Sequence, residues 1–317
     1  MFSSTIIPTI GRSTLARAVN SVLNQEFATA DFEVIVVNDT GEPLSEEDWQ
    51  KSERVRVVTT NRRERSFARN TGAAIARGEY LHFLDDDDWL LPGCLERFYD
   101  FAQTTDAHWL YGSSQLVDRS GQPLIQLHHG MNGNCFVQMM AGEWIPLQAS
   151  FILARAFFAI GGFTPLVHAT QDVDLQRRIG FRGEFAGLPA LVVCIGMGTH
   201  GSSTDYYNAA RYSRWAREKI LNEPGVFRRM RSSANASEWQ GRIPRIYWTS
   251  MFWNLRRYNL FISASRGLHG VAAFFLAGQH LISIAFWQAL LHPYESKTFV
   301  RGFEQVNRPV QRRIVER

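Results

Sequence analysis

The sequence has few cysteines, few acidic residues in its last third, and no long run of purely apolar residues. Its three cysteines, Cys94, Cys135 and Cys194, are widely spaced and form no CxxC pair. This spacing argues against a disulfide framework and against a cysteine-based zinc site. Because the first predicted strand begins at Phe2, we expect no leader segment. We therefore expect a protein that works in the cytoplasm, with a possible association with the inner face of the cytoplasmic membrane.

Charge is distributed unevenly along the chain, with an acidic excess in the first two thirds and few acidic residues in the last third. Residues 1–206 contain 16 Lys and Arg and 24 Asp and Glu, a net charge of −8, whereas residues 207–317 contain 18 and 6, a net charge of +12. A basic C-terminal third predicts an anionic partner, which is nucleic acid, an acidic membrane surface or a charged substrate. Because its arginines are interleaved with long apolar stretches, an anionic membrane surface is favoured and nucleic acid is not expected.

One stretch of this basic part is long enough to raise the question of a membrane span. Residues 268–291 contain no Asp, Glu, Lys or Arg, but they include two His, two Gln and two Gly. These residues argue against a span. We expect one or two amphipathic helices that lie on a bilayer. The alternative is that these helices pack on the rest of the chain or on a partner subunit.

Strands and helices alternate over the first hundred residues. The apolar patterns predict strands over 2–7, 32–37, 55–59 and 79–84, and helices over 15–23 and 66–77. We expect Pro8 to end the first strand, and Ser13 or Thr14 to cap the first helix. This alternation predicts an α/β fold with a mostly parallel, Rossmann-like sheet. Polar loops after successive strands would then meet in one crevice at the carboxyl edge of the sheet.

Four consecutive carboxylates, Asp85 to Asp88, follow the fourth predicted strand directly. Like charges on adjacent residues repel one another, and a divalent cation with hard oxygen ligands, Mg²⁺ or Mn²⁺, would compensate them. In an extended segment Asp85 and Asp87 would point one way and Asp86 and Asp88 the other. The alternative is a solvated acidic turn before the helix that starts near Pro92.

Several motifs, in order, resemble one enzyme family. They are STIIPTIGR from Ser4, SVLNQ from Ser21, FEVIVVND from Phe32, ARNTG from Ala68, GEY from Gly78 and FLDDDD from Phe83. Together they are similar to family 2 glycosyltransferases of the GT-A fold. The resemblance covers roughly residues 1–206 and is densest over the first 100. It implies inverting transfer of a sugar from a nucleotide-sugar donor.

The resemblance also implies roles for individual residues. The donor nucleotide would be bound by seven residues in or near the loops after the strands. They are Pro8, Thr9, Arg12, Asp39, Arg69, Asp85 and Asp86. Asp39 would hydrogen-bond the base, usually uracil, whose imide N–H a carboxylate accepts. Asp87 would bind a divalent metal, Mn²⁺ or Mg²⁺, with His200 and, less strongly indicated, Asp88. The alternatives are a turn-forming Asp39, a surface Arg69 and an ordinary loop histidine at position 200.

The general base of the family opens a helix after a Gly-rich segment. Here Gly161-Gly162-Phe163 precedes Gln171-Asp172, so the resemblance implies that Asp172 removes the proton of the acceptor hydroxyl. Gln171 stands where the family usually has Glu. A neighbouring carboxylate would raise the pKa of the base by repulsion, and Gln171 does not supply that charge. An ordinary helix cap is the alternative for Asp172.

These observations predict a glycosyltransferase of hexosyltransferase type. We expect a GT-A catalytic domain over residues 1–206 and a basic, aromatic-rich helical appendage over 207–317. The donor is expected to be a UDP-sugar, and the acceptor a hydroxyl of a cell-envelope glycan or lipid-linked saccharide. The alternative is a catalytically degenerate GT-A scaffold or binding protein at the membrane.

Overall fold

Ten strands and eleven helices follow one another along the described part of the chain. The computed structural model describes residues 1–60, 62–165, 167, 169–197, 206–296 and 299–301. The strands are β1 Ser3–Thr9, β2 Phe32–Asn38, β3 Val55–Thr59, β4 Tyr80–Phe83, β5 Trp89–Leu90, β6 Trp109–Val117, β7 Pro123–His128, β8 Ser150–Leu153, β9 Phe185–Gly196 and β10 Phe299–Arg301. The helices are α1 Leu15–Leu23, α2 Arg65–Ile75, α3 Cys94–Ala102, α4 Phe136–Ala141, α5 Ala154–Ala159, α6 Gln171–Arg182, α7 Tyr206–Leu221, α8 Val226–Ser233, α9 Ser237–Leu255, α10 Leu260–Leu276 and α11 Ile284–Leu291.

The strands form a single sheet in the order β10-β7-β6-β8-β4-β1-β2-β3, and β9 pairs with β6 and β5. The half β4-β1-β2-β3 is parallel throughout. All seven residues of β2 are buried, as expected for a parallel strand covered by helices on both faces. β8 joins this half antiparallel, between β4 and β6. The predicted α/β class, with a parallel Rossmann-like sheet between helices, is confirmed.

Two expectations about the first strand and helix are wrong. β1 continues through Pro8 to Thr9. Pro8 is tolerated because β4 ends opposite Ile6, so only β2 runs beside Pro8. Thr14 occupies the N-cap position of α1, but its side chain makes no capping hydrogen bond.

Helix α2 ends at Ile75, two residues before its predicted end. The chain leaves the helix because its next N–H groups bind side chains of the sheet. Arg77 N–H donates to Glu33 Oε1 at 2.7 Å, and Gly78 N–H donates to Ser4 Oγ at 2.8 Å. These contacts fix the approach to β4, and therefore the position of the acidic run that follows it.

The C-terminal helices pack on the rest of the chain through α4. Phe136, Val137 and Met140 of α4 share one buried cluster with apolar residues of α7 to α10, including Ile220, Met230, Ile243 and Tyr247. The predicted domain boundary at 206/207 stays a prediction. Residues 268–291 divide into the end of α10, a 3₁₀ turn over Gly278–Ile282, and α11. Within the described ranges, no helix is long and apolar enough to cross a membrane.

Candidate active site

A crevice opens at the carboxyl ends of β1, β2 and β4, where the sequence predicted that polar loops would meet. It is lined by Pro8, Thr9, Ile10, Arg12, Asp39, Arg65, Asp85, Asp86 and Asp87. Six of the seven residues assigned to donor binding therefore surround one space, together with the assigned metal ligand Asp87. The seventh residue, Arg69, does not line the crevice but contacts Asp85, which does. His200 lies outside the described residues.

Asp86 ties the loop after β1 to the acidic run. Its carboxylate accepts hydrogen bonds from Thr9 Oγ1 at 2.6 Å and from Arg12 Nη1 at 2.5 Å. Burial raises the Asp86 pKa, although the hydrogen bonds from Thr9 and Arg12 oppose this rise. Arg12 Nη1 also lies 3.6 Å from Asp87 Oδ2. Asp86 thus holds the first loop against the acidic segment.

The acidic run is a turn and not an extended segment. β4 ends at Phe83, and the N–H of Asp88 donates to the carbonyl of Asp85 at 3.1 Å. The expected alternation, with Asp88 on the opposite side from Asp85 and Asp87, is therefore wrong. Carboxylate oxygens of Asp85, Asp87 and Asp88 all lie within 4.8 Å of one another. The turn brings a third carboxylate into the predicted pair and directs Asp86 elsewhere.

This triad has the chemistry of a site for a hard divalent cation. Asp88 is buried and accepts a hydrogen bond from Gly196 N–H at 2.8 Å. Burial and the charges of Asp85 and Asp87 raise its pKa well above the usual carboxyl range. A cation among the three carboxylates would offset this repulsion, and their oxygens are ligands that Mg²⁺ and Mn²⁺ accept. The residues present therefore fit the predicted metal.

Asp85 is held by residues from two other parts of the chain. Arg69 Nη2 lies 2.6 Å from its Oδ1, and Gln148 Nε2 donates to its Oδ2 at 3.0 Å. Burial alone would raise the Asp85 pKa, but the charges of Arg69 and Arg65 outweigh burial and lower it. Asp85 therefore stays ionised beside the crevice.

Sequence reasoning missed Arg65 and Gln148. Arg65 opens α2 next to a crevice that the strand pattern already predicted, so its position after β3 was a usable signal. Gln148 lies in a 3₁₀ turn over Leu147–Ala149, in a stretch without any recognised motif. Only the antiparallel pairing of β8 with β4 brings that turn to Asp85.

Asp39 is the first residue after β2 and is buried. Its Oδ1 accepts from Thr60 Oγ1 at 2.6 Å, and its Oδ2 accepts from Glu64 N–H at 3.0 Å. Each carboxylate oxygen has two acceptor positions, so each oxygen keeps the capacity to accept from one more donor. The two bonds orient Asp39 at the wall of the crevice.

Asp172 is the second residue of α6 and lies close to Arg69 and Asp85. Phe163 is fixed to α2 by two hydrogen bonds with Asn70, of 2.8 and 2.9 Å, and Arg69 lies over the Phe163 ring at 5.5 Å. These contacts join the segment before α6 to helix α2, which carries Arg69.

The surroundings of Asp172 favour its protonated form more than water would. Burial raises the Asp172 pKa, the nearby charge of Asp85 adds to the rise, and Val173 N–H and Arg69 oppose it. Two residues on, Asp174 is bound by Arg178 Nη2 at 2.8 Å and by Thr164 Oγ1 at 3.0 Å. The same helix therefore carries one carboxylate engaged in an ion pair and one with a raised pKa.

Comparison with known proteins agrees with this geometry. Residues 4–157 match the family described as Glycosyl transferase family 2. Over 115 residues the chain is 33% identical to the poly(ribitol-phosphate) beta-N-acetylglucosaminyltransferase TarP of Staphylococcus aureus, a match that covers 34% of this chain and 35% of TarP. Over 196 residues it is 26% identical to the chondroitin synthase of Escherichia coli, covering 60% of this chain and 28% of that enzyme. The chain thus spans about a third of the length of these curated relatives.

The fold has close counterparts among solved structures. The S. aureus TarS fragment 1–349 in complex with UDP-GlcNAc superimposes with a TM-score of 0.59 at 14% identity, covering 87% of this chain and 92% of the fragment. At this identity the likeness concerns the fold alone. The motif order, the family match and the shared fold agree: residues 4–157, just under half of the chain, match glycosyltransferase family 2, and the fold is of the GT-A type.

Proposed function

We propose that the protein is a metal-dependent, inverting glycosyltransferase that moves a sugar from a UDP-sugar to a hydroxyl group of a cell-envelope glycan or lipid-linked saccharide. The observation that carries this proposal is the arrangement of one crevice. Asp39 lines this crevice on one side, and Asp85 and Asp87 line it on another, with the buried Asp88 completing their triad. Asp172, with its raised pKa, lies near Asp85.

The donor is held at both ends in this scheme. Asp39 accepts the imide N–H of uracil, and Arg12 and Arg65 supply positive charge along the crevice. Asp85, Asp87 and Asp88 hold the divalent cation, which, when bound, neutralises charge on the diphosphate leaving group. The UDP-GlcNAc complex of the fold neighbour TarS and the name of TarP, an N-acetylglucosaminyltransferase, support a UDP-sugar as the donor class.

Asp172 acts on the acceptor. Its carboxylate takes the proton of the attacking hydroxyl while the oxygen of that hydroxyl forms a bond to the anomeric carbon and the bond to UDP breaks. The raised pKa makes Asp172 a stronger proton acceptor than an exposed aspartate. Arg69 lies close to both Asp85 and Asp172, so its positive charge acts on the donor side and on the acceptor side of the site.

The acceptor class rests on the relatives. TarP and a poly(ribitol-phosphate) beta-glucosyltransferase of Bacillus spizizenii are named for a cell-wall polymer, and the E. coli relative is named a chondroitin synthase. All three names describe the extension or decoration of a polysaccharide or polyol-phosphate chain. A hydroxyl on such a polymer is therefore the acceptor we propose. The expected cytoplasmic location stays a prediction.

Calorimetric titration with UDP, with and without Mn²⁺, tests the proposal directly. We expect UDP binding that Mn²⁺ strengthens and that EDTA returns to its metal-free level. Asp87→Ala should weaken the Mn²⁺-dependent part by at least about tenfold, because even a partner of a metal ligand is worth that much. Asp48→Ala is the matched control, since Asp48 is a fully exposed carboxylate outside the crevice. A panel of UDP-, dTDP- and GDP-sugars then identifies the donor.

The competing function is a degenerate GT-A scaffold, and Gln171 in place of the family's usual Glu is the observation in its favour. The same titration separates the two. Absence of UDP binding in the presence of Mn²⁺ contradicts the transferase and supports the scaffold. Binding of UDP together with release of UDP from a UDP-sugar supports the transferase.

A further inference from the structure

The most exposed positions of helix α10 are all apolar. These positions, here called the α10 outer face, are Leu260, Phe261, Ala264, Leu268, Val271, Phe275 and Leu276. The largest of them are strongly exposed: Phe261 at 88%, Leu268 at 71% and Phe275 at 71%. Positions 261, 264, 268, 271 and 275 follow the three- and four-residue spacing that places side chains on one side of a helix. The outer face is thus one continuous apolar stripe.

The opposite side of α10 is buried and carries small or polar residues: Ser263, Arg266, Gly270 and Ala273. Ser263 donates to the carbonyl of Met251 on α9 at 3.0 Å, and Arg266 donates to Asn222 at 2.5 Å. A side chain at Gly270 would collide with the Trp248 ring of α9. This helix therefore packs its small, polar side against the protein and turns its large apolar side outwards, the reverse of a helix that faces water.

The elements before and after α10 also expose large apolar side chains. After α10 the turn and α11 expose Ile282 at 90% and Ile284 at 75%, and the end of α9 exposes Phe252 and Leu255. Monomeric soluble proteins rarely leave so many large apolar side chains in water. An apolar environment outside the chain would explain their outward orientation.

Charge around this surface has one sign. Residues 239–294 contain no Asp or Glu, while Arg256 and Arg257 are exposed in the turn that precedes α10. Tyr258, in the same turn, is 88% exposed, and Arg257 lies over the Trp253 ring at 4.1 Å. Arginines and amphipathic aromatics beside an apolar stripe match the headgroup and acyl regions of an anionic bilayer.

A second copy of the chain fits this face less well. A helix pair that uses the stripe as its seam would normally carry charged residues beside the seam to set partner and register. The partly exposed residues that border the stripe are instead uncharged, and they include Ser265, Gly267, Ala272 and Phe274.

We propose that the α10 outer face docks on an anionic lipid bilayer, with α10 parallel to the membrane surface. Its apolar side chains enter the acyl region, and Arg256 and Arg257 bind the phosphate groups of the lipids. The stripe runs the whole 17-residue length of α10, so the helix lies along the surface. This inference concerns a surface separate from the crevice and does not depend on the proposed reaction.

Vesicle sedimentation of the whole chain tests the inference. We expect strong binding to vesicles of equimolar phosphatidylcholine and phosphatidylglycerol, and weak binding to pure phosphatidylcholine. The double change Leu268→Gln with Phe275→Gln should weaken binding on the order of a hundredfold, since burying each such side chain is worth about tenfold or more. Val57→Gln is the matched control, because Val57 is an exposed apolar residue on the edge strand β3. Both positions on α10 are exposed, so the melting temperature should not fall.

The charge contribution is tested separately. Arg256→Gln with Arg257→Gln should weaken binding to the anionic vesicles by about fivefold for each arginine and should reduce its salt dependence. Lys51→Gln is the control, because Lys51 is an exposed cation distant in the sequence from α10. This change should leave vesicle binding unchanged. Failure of the wild-type chain to sediment with either kind of vesicle overturns the proposal. A second result also overturns it: the chain binds no vesicles, and light scattering shows a concentration-dependent dimer that Leu268→Gln with Phe275→Gln dissociates. That result identifies a second copy of the chain as the occupant of the face.

Discussion

Replacing Asp172 with Asn removes the proposed base and changes the size of the side chain very little. An amide cannot take the proton of the acceptor hydroxyl, so kcat should fall on the order of 10²- to 10⁴-fold. UDP binding should be unchanged, because Asp172 is not among the residues that line the crevice. UDP release in the presence of donor and acceptor measures the rate, and calorimetry measures UDP binding.

Stability separates a catalytic Asp172 from a structural one. Burial raises its pKa, so its charged form is disfavoured in the folded protein, and Asp172→Asn should not lower the melting temperature. Asp174→Asn is the control on the same helix. It removes the charge that binds Arg178 and Thr164, and a hydrogen bond to a charged group contributes about 1.5–3 kcal/mol. This control should melt several degrees lower and keep its rate per folded molecule.

The pH dependence follows from the same shift. The rate should fall as the pH drops through the raised pKa of Asp172, and so above the ordinary aspartate value of about 3.9. Because the folded pKa exceeds the unfolded one, Asp172 contributes stability that is present at low pH and lost as the pH rises through the folded pKa. Its titration therefore cannot explain the acid limb by unfolding. Full transfer by Asp172→Asn, or loss of transfer by Asp174→Asn at an unchanged melting temperature, would refute this assignment.

Three further changes probe the scaffold and the donor site. Gly78→Ala should lower the free energy of unfolding by at least about 1–3 kcal/mol in urea titration, because a Cβ would lie 2.4 Å from the backbone of Ser3; an unchanged midpoint would contradict the close approach. Glu33→Ala should cost about 3–5 kcal/mol in the same measurement, since it leaves Arg56 without its carboxylate, and a loss below about 1 kcal/mol would show that the pair is replaced by water. Asp39→Asn should weaken UDP binding more than binding of pyrophosphate in calorimetry, and an equal loss for both would place Asp39 away from the base.

Much of the fold is predictable because its signals are local. The apolar run over 32–37 becomes the buried strand β2, and the helical spacing over 15–23 becomes α1 with the same bounds. The alternation of such segments is enough to predict an α/β sheet, and with it an edge at which the loops after the strands meet. For this reason six of the seven residues assigned to donor binding lie together in the crevice.

The acidic run shows where local reasoning fails. An extended chain would have separated Asp88 from Asp85, but the turn after β4 brings Asp85, Asp87 and Asp88 together. Turn geometry depends on contacts from elsewhere, such as Thr9 and Arg12 on Asp86 and Gly196 on Asp88. None of these partners lies within reach of a sequence window.

The composition alone determined that the last third of the chain is basic and apolar, because charge and hydropathy are sums over residues. The order of the motifs in the sequence also determined which residue types could serve in a donor crevice. Only the tertiary structure decided that Gln148 reaches Asp85, that Asp172 lies near Arg69, and that α10 turns its apolar side outwards. The physical reason is the same in each case: which face of an element is buried depends on the partner that packs against it, and that partner is distant in the sequence.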